Sequence, residues 1–132
     1  MYFYQCKKCE NIVFSKEEKE LKCCGEVMEQ ILPNQVLDGE EQEDIHYLTV
    51  RKVGALYSLI TLGEHPMLEV HRLTFALLQT SKGIYYKELS LDDYSTVDFL
   101  VGPEEEYVNA YLYCNQFGLI EAAKFDDLTK QE

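Results

Sequence analysis

Short apolar runs separated by polar turn signals recur along most of this 132-residue chain. Two extended runs within residues 46–62 flank a Gly-Ala pair, which predicts a β-hairpin. Further apolar strands are predicted at 73–79 and 97–101, and a Ser-Lys-Gly turn precedes a strand at 84–86. No long amphipathic helix is expected. The pattern predicts a mainly β chain whose larger part is an antiparallel sandwich.

A strand is also predicted at 107–114, where the side chains alternate between two faces. The predicted faces are Val108, Ala110, Leu112 and Cys114 on one side, and Tyr107, Asn109, Tyr111 and Tyr113 on the other. An aromatic row of this kind typically packs against a neighbouring sheet or a dimer partner.

Cysteines and histidines divide the chain into two parts. Four of the five cysteines lie within residues 1–24, whereas all three histidines come later. We expect a small domain over 1–34, an acidic linker over 35–45, a sandwich over 46–125 and a polar tail over 126–132.

The charge and the cysteine content restrict the possible partners and compartment. The formal net charge is -12, so nucleic acid and anionic membrane surfaces are poor partners. No apolar run is long enough to span a bilayer, and the first residues lack the pattern of a secretory signal. A cytoplasmic location is expected. Because thiols stay reduced there, the five cysteines are interpreted as ligands or reactive groups.

Four cysteines near the start have the spacing of a metal site. Cys6 and Cys9 form a C-x-x-C turn, and Cys23 and Cys24 are adjacent. Adjacent side chains tend to diverge, but the following Gly25 permits the unusual backbone angles that convergence needs. Four sulfurs suit zinc or iron. A domain of about 34 residues is too small to fold on core burial alone, so structural zinc is one interpretation. Iron is another, and a disulfide pair or free thiols is a third.

Three sequence motifs, taken in order, resemble the desulfoferrodoxin family. The C-x-x-C turn followed by C-C-G and by Met28 resembles desulforedoxin, a small domain that binds one iron through four cysteines. Residues 65–71, HPMLEVH, are similar to the H-P-M-x-x-x-H motif of desulfoferrodoxin. Residues 114–118, CNQFG, are similar to its C-N-x-H-G motif with Phe117 in place of histidine. His46 falls where the family has its first histidine ligand.

The resemblance covers nearly the whole chain and implies both a fold and an activity. The fold is a rubredoxin-like (desulforedoxin) metal knuckle domain followed by an immunoglobulin-like antiparallel β-sandwich, usually in a homodimer. The activity is reduction of superoxide to hydrogen peroxide at a ferrous ion, held by four histidines in a plane and an axial cysteine thiolate. The four-cysteine iron would be an accessory centre, and a rubredoxin would be a suitable electron donor.

Carried onto this chain, the resemblance assigns every histidine and cysteine to a metal site. The four-cysteine site, for iron with zinc as the alternative, comprises Cys6, Cys9, Cys23 and Cys24. The second site comprises His46, His65, His71 and the axial thiolate of Cys114. The candidate catalytic residues are the four residues of this second site and Asp44.

Two positions depart from the family pattern. Phe117 stands where the family has its fourth histidine, and a phenyl ring cannot bind a metal. The Glu-Lys pair typical of the family is Asp44-Ile45 here, so the lysine thought to attract superoxide is replaced. The second site is therefore expected to hold iron with water or Asp44 in the vacated position, to hold four-coordinate zinc, or to hold no metal because Phe117 fills the gap.

Three functions follow from these alternatives. The chain is expected to be a superoxide reductase-like iron protein with a modified site. The alternatives are an electron-transfer protein in which only the four-cysteine iron cycles, or a structural metal-binding module.

Overall fold

The computed structural model of the protein describes residues 1–33 and 45–129. Within these ranges the chain forms thirteen β-strands and no α-helix, which confirms the mainly β prediction. No helix in this part of the chain has the length and apolar character that crossing a membrane requires. Contacts divide the chain into two compact units, with the boundary after Pro33. Almost all of the predicted linker lies outside the described residues, so the predicted domain limits stay predictions.

The smaller unit contains five short strands around a small core. They are β1 (Tyr2–Gln5), β2 (Ile12–Ser15), β3 (Lys22–Cys23), β4 (Glu26–Val27) and β5 (Glu29–Ile31). Strand β1 lies between β2 and β5 in an antiparallel sheet, and β3 and β4 form a separate hairpin. The buried cluster of this unit consists of Tyr4, Cys6 and Met28, so a predicted metal ligand belongs to its core.

The larger unit contains eight strands in two four-stranded sheets. They are β6 (Leu48–Val53), β7 (Leu56–Thr61), β8 (Leu73–Thr80), β9 (Gly83–Glu88), β10 (Val97–Leu100), β11 (Tyr107–Cys114), β12 (Gly118–Glu121) and β13 (Lys124–Asp127). One sheet has the order β10-β7-β6-β13 and the other has the order β12-β11-β8-β9. This arrangement confirms the predicted immunoglobulin-like sandwich, including the hairpin of β6 and β7, and its described strand pairs are antiparallel except for β6 with β13.

The core of the sandwich lies between the sheets, because alternate residues of each strand point inward. Leu48 and Val50 of β6 share one fully buried cluster with Leu78 of β8 and Leu112 of β11. Complete burial of such a side chain contributes about 1.5–3 kcal/mol. The sandwich therefore has a source of stability that does not depend on a bound metal.

The predicted faces of β11 are wrong at its first two residues. The pairing of β11 with β8 shifts register between Tyr107 and Asn109, as it does at a β-bulge. The shift places the Tyr107 ring at the core, where it stacks on Phe125 with ring centres 4.1 Å apart. Val108 is exposed, whereas Ala110, Leu112 and Cys114, the residues predicted to share its face, are buried.

The end of the chain also differs from the prediction of a polar tail over 126–132. Strand β13 continues to Asp127 and pairs in parallel with β6, so it extends the sheet past the predicted limit of the sandwich. The polar residues of this segment suit an edge strand, in which one row of side chains faces solvent.

Candidate metal centres

The four-cysteine site lies at two tight turns of the smaller unit. Cys6 directly follows β1 and is buried, and Cys9 lies exposed in the turn that leads to β2. A backbone hydrogen bond from the Glu10 N–H to the Cys6 carbonyl closes this turn at 2.9 Å. The turn therefore holds the first two sulfurs on the same side of the chain.

The adjacent cysteines occupy a two-residue hairpin loop. Cys23 ends β3 and pairs with Glu26 of β4, which leaves Cys24 and Gly25 as the loop. Both loop residues have positive φ, 52° at Cys24 and 77° at Gly25. Positive φ at both positions is the geometry of a type I′ turn, in which glycine is favoured. The left-handed backbone at Cys24 explains how side chains that would normally diverge both reach one site.

The distances between the sulfur atoms fit a tetrahedral metal site. All four Sγ atoms lie within 4.8 Å of one another, with Cys9 and Cys23 3.5 Å apart and Cys23 and Cys24 3.9 Å apart. Four sulfurs around an ion with metal–sulfur bonds of about 2.3 Å would be separated by roughly 3.8 Å. None of the five cysteines forms a disulfide, and each falls within the described part of the chain.

The protonation of the four-cysteine site also depends on its crowding. Backbone N–H groups of Cys9 and Lys8 lower the pKa of Cys6 to about 6. The neighbouring sulfurs of Cys6 and Cys9 raise the pKa of Cys23 to about 12. Several thiolates this close repel one another unless a cation lies between them, so the cluster fits a bound divalent ion.

The ligands of the second site come from four separated points of the sandwich. His46 lies two residues before β6, His65 lies in the loop after β7, His71 lies just before β8 and Cys114 ends β11. A short bridge between Leu68 and His71 closes the loop that contains the second and third histidines. The fold thus brings together all three histidines and the fifth cysteine predicted from the sequence.

The three imidazoles each leave one nitrogen without a partner. The Nε2 atoms of His46, His65 and His71 are buried and make no hydrogen bond. With the Cys114 Sγ they form a group whose ligand atoms all lie within 4.8 Å of one another. A buried polar atom without a partner is costly, and three that converge beside a thiol are explained by a metal ion.

Two of the histidines, His46 and His65, are held in the neutral form that binds metals. Burial, followed by repulsion from His65 and His71, lowers the pKa of His46 to about 4. Burial also lowers the pKa of His65, against the opposing effect of a hydrogen bond to the Pro66 carbonyl. The His65 Nδ1 lies 2.7 Å from this carbonyl, and a carbonyl only accepts. The His65 proton is therefore on Nδ1, and the Nε2 lone pair faces the other ligands.

Phe117 lies inside the second site instead of pointing away from it. Its ring stacks on His46 with centres 4.1 Å apart and planes 18° from parallel. Its backbone N–H donates to the Cys114 Sγ at 3.4 Å. The replaced histidine position therefore contacts two ligands of the site without supplying one.

Two further residues, neither of which was predicted as a site residue, position the site. Asn115 accepts a hydrogen bond from the Arg72 N–H at 2.9 Å, and its side chain and that of Gln116 donate to the Val70 carbonyl. These bonds tie the turn after Cys114 to the residues on either side of His71. The sequence does contain a signal for this role, because Asn115 directly follows the ligand Cys114 and side-chain amides often bond to nearby backbone groups.

Asp44 is the one predicted site residue that lies outside the described residues. Ile45, the residue that replaces the family's lysine, is half-buried beside His46.

Comparisons with known proteins agree with the motifs. A desulfoferrodoxin homolog from Archaeoglobus fulgidus is 28% identical over 122 residues, which cover 90% of this chain and 94% of the relative. A desulfoferrodoxin homolog from Methanothermobacter thermautotrophicus is 28% identical over 120 residues, which cover 88% and 93%. No family model matches the chain.

A solved structure supports the same fold. The crystal structure of the superoxide reductase from Treponema pallidum matches with a TM-score of 0.75 at 22% identity, and the match covers 92% of this chain and 95% of that one. At this identity the match establishes the fold alone. The ordered motifs and the two relatives agree with this fold, and all three make the chain similar to desulfoferrodoxins, from which it diverges at Phe117.

Proposed function

We propose that the protein reduces superoxide to hydrogen peroxide at a mononuclear iron site formed by His46, His65, His71 and Cys114. The observation that carries the proposal is the convergence of three buried, unpartnered Nε2 atoms with the Cys114 Sγ. Ferrous iron bound there would supply the one electron that, with two protons, converts superoxide to hydrogen peroxide. The relatives named as desulfoferrodoxin homologs and the superoxide reductase structure support this class of activity.

The protein's own groups prepare the ligands before any substrate arrives. The Pro66 carbonyl fixes the tautomer of His65, so the ring needs no reorientation to bind an ion. The Phe117 N–H donates to the Cys114 sulfur at 3.4 Å and so holds that sulfur in position. His65 and Cys114 are almost completely buried, which keeps bulk water from two of the ligands.

Charge works against the approach of the substrate. Superoxide is an anion, the chain carries a formal net charge of -12, and Ile45 stands where the family has a lysine. Repulsion of this kind is screened by salt. We therefore expect superoxide consumption to speed up as ionic strength rises, the opposite of electrostatically steered capture.

The proposal is tested by superoxide decay in a stopped-flow instrument with iron-loaded protein. Cys114→Ser is expected to abolish turnover, whereas Cys9→Ser, which alters the four-cysteine site, is expected to leave the reaction of the second site with superoxide intact. Decay no faster than with free ferrous ion, or equal decay in Cys114→Ser, would overturn the proposal.

A second candidate function is electron transfer or structural metal binding with only the four-cysteine site occupied. The exposure of Cys9 and Cys24 favours electron exchange, because two sulfurs of that site reach the surface. One iron per chain and no metal lost in Cys114→Ser would support this candidate, and zinc alone would support the structural form. The homodimer, the rubredoxin-type donor and the cytoplasmic location remain predictions from the sequence.

A further inference from the structure

We infer that the second site is four-coordinate, with three imidazole nitrogens and one thiolate, and that Phe117 is the residue that sets this coordination. The inference deepens the proposed function and rests on it only in requiring a metal ion at the site. It differs from the five protein ligands, four histidines in a plane and one cysteine, that the family resemblance implies.

The separations of the imidazole rings carry the inference. The ring centres lie 5.1 Å apart for His46 and His65, 5.8 Å for His46 and His71, and 4.8 Å for His65 and His71. With metal–nitrogen bonds of about 2.1 Å and ring centres about 1.1 Å further out, opposite ligands would be roughly 6.4 Å apart. By the same geometry, tetrahedral neighbours would be roughly 5.2 Å apart and right-angled neighbours roughly 4.5 Å.

No pair of histidines matches the arrangement of opposite ligands. Any three corners of a square include one opposite pair, so three histidines of a planar set would show one separation of roughly 6.4 Å. The longest separation here is 5.8 Å and the shortest is 4.8 Å, which surround the tetrahedral value. The three rings therefore contain no opposite pair and are spaced like tetrahedral neighbours, and the Cys114 Sγ lies within 4.8 Å of their ligand atoms.

Phe117 explains why the rings take this arrangement. Strand β11 ends at Cys114 and β12 begins at Gly118, so Phe117 closes a three-residue turn. Gly118 has φ of 102°, a conformation that favours glycine and lets the turn fold back over the cysteine. The Phe117 ring then lies 4.1 Å from the His46 ring, in nearly parallel planes. The family resemblance implies a histidine at this position, whereas the phenyl ring supplies no donor atom.

The consequence is a changed preference among metal ions. Three nitrogens and one sulfur in a tetrahedron are a ligand set that zinc accepts readily, and zinc binds nitrogen and sulfur sites more tightly than ferrous iron. We expect zinc to compete with iron at this site more effectively than it would at a site with a fourth histidine. Phe117 is thus a specificity-determining residue for the metal, although its side chain has no atom that can bind one.

Cobalt(II) tests the coordination number directly, because four-coordinate cobalt absorbs visible light far more strongly than five- or six-coordinate cobalt. The full chain is loaded with cobalt, and the spectrum of Cys114→Ser is subtracted from that of the wild type. The subtraction removes the four-cysteine contribution. The expected difference spectrum shows intense ligand-field bands together with sulfur-to-cobalt charge transfer. His71→Ala provides a second reference if Cys114→Ser does not fold.

The Phe117 variants provide the matched comparison. Phe117→His is expected to weaken the ligand-field bands several-fold by adding a fifth ligand, and to raise iron affinity relative to zinc. Phe117→Leu supplies no donor, so it is expected to keep the intense bands while binding cobalt more weakly, because His46 loses its stacking partner. Equal spectra for the wild type and Phe117→His would show that this position does not set the coordination.

Two failures are distinguishable in this experiment. Two cobalt ions per chain with weak bands from the second site would overturn four-coordination and leave the proposed superoxide chemistry standing. One cobalt ion per chain, unchanged in both Cys114→Ser and His71→Ala, would mean that the second site binds no metal. That result would overturn the inference and the proposed function together.

Discussion

The two candidate metal centres differ in how they are built. The four cysteines all lie within residues 6–24, in a unit whose buried cluster, among the described residues, is Tyr4, Cys6 and Met28. The ligands of the second site lie between His46 and Cys114, at the ends of strands that enclose a much larger buried cluster. One of the three residues in the first cluster, Cys6, is a metal ligand, whereas Cys114 is one ligand among the fourteen buried residues of the second cluster. We therefore expect metal binding to be required for folding of the smaller unit but not for folding of the sandwich.

The largest expected effect is loss of the smaller unit's fold when metal is removed. Chelation of the metal-loaded protein, or Cys6→Ser, should release strands β1–β5 while the sandwich stays folded. In zinc-finger peptides, metal binding contributes about 10–16 kcal/mol, which exceeds the stability of a small domain. Hydrogen exchange measured by mass spectrometry should show rapid exchange in 1–33 and continued protection in β8 and β11.

The control for this difference is Cys114→Ser, which removes a ligand of the second site. Its exchange should rise only near that site, because Cys114 is one of fourteen residues in the buried cluster of the sandwich. Cooperative loss of protection across both units on chelation would contradict the proposed difference between them.

The same contrast explains what the sequence could predict. The cysteine site is local, and its C-x-x-C and C-C-G spacings encode two turns that short-range backbone rules describe. Even the convergence of Cys23 and Cys24 could be anticipated from Gly25, although the positive φ at Cys24 itself was not predicted. The second site was found through motif resemblance, since nothing local relates His46 to Cys114.

The features that the sequence missed depend on contacts between distant strands. The bulge that buries Tyr107 exists because its ring has Phe125 to stack on, and that partner comes from another sheet. The direction of the Phe117 ring depends on where His46 lies, and the role of Asn115 depends on the loop before Arg72. Alternation along one strand contains no information about these partners.

A smaller effect is expected from the residue that holds the second site's turns together. Asn115→Ala removes the side-chain bonds of Asn115 to the Arg72 N–H and the Val70 carbonyl while leaving all four ligands in place. Loss of such a supporting partner typically lowers metal affinity about 10–100-fold. Competition with a coloured chelator should show this loss at the second site and no change at the four-cysteine site.

Asn109→Ala is the matched control, because it makes the same chemical change on β11 at a residue that bonds Glu121 instead of the metal loop. Equal metal affinities in the two variants would mean that the loop around His71 holds its shape without the amide.

The smallest expected effect is the loss of stability in acid. Different titrating groups should cause this loss in the two units. Glu105 accepts hydrogen bonds from the Thr80 and Tyr85 hydroxyls and from the Gly102 N–H. The Thr80 and Tyr85 bonds, in that order, lower the pKa of the Glu105 carboxyl below its ordinary 4.5. Its contribution to sandwich stability is therefore complete above about pH 4.5 and is lost as the pH falls through the lower folded value.

Thermal melts of the sandwich at pH 7 and in acid below pH 4.5 measure this contribution. Glu105→Gln should lower the melting temperature by a few degrees at pH 7 and by less in this acid, where the wild-type carboxylate becomes protonated as the pH falls through its folded pKa. Glu104→Gln is the control, because that exposed carboxylate pairs only with Lys82 at 3.6 Å at the surface and should change the melt little at either pH. The smaller unit should instead lose its fold in acid when protons displace the metal from its thiolates. If Glu105→Gln also shifted the acid unfolding of the smaller unit, the two units would not unfold independently, contrary to the expectation from their separate buried clusters.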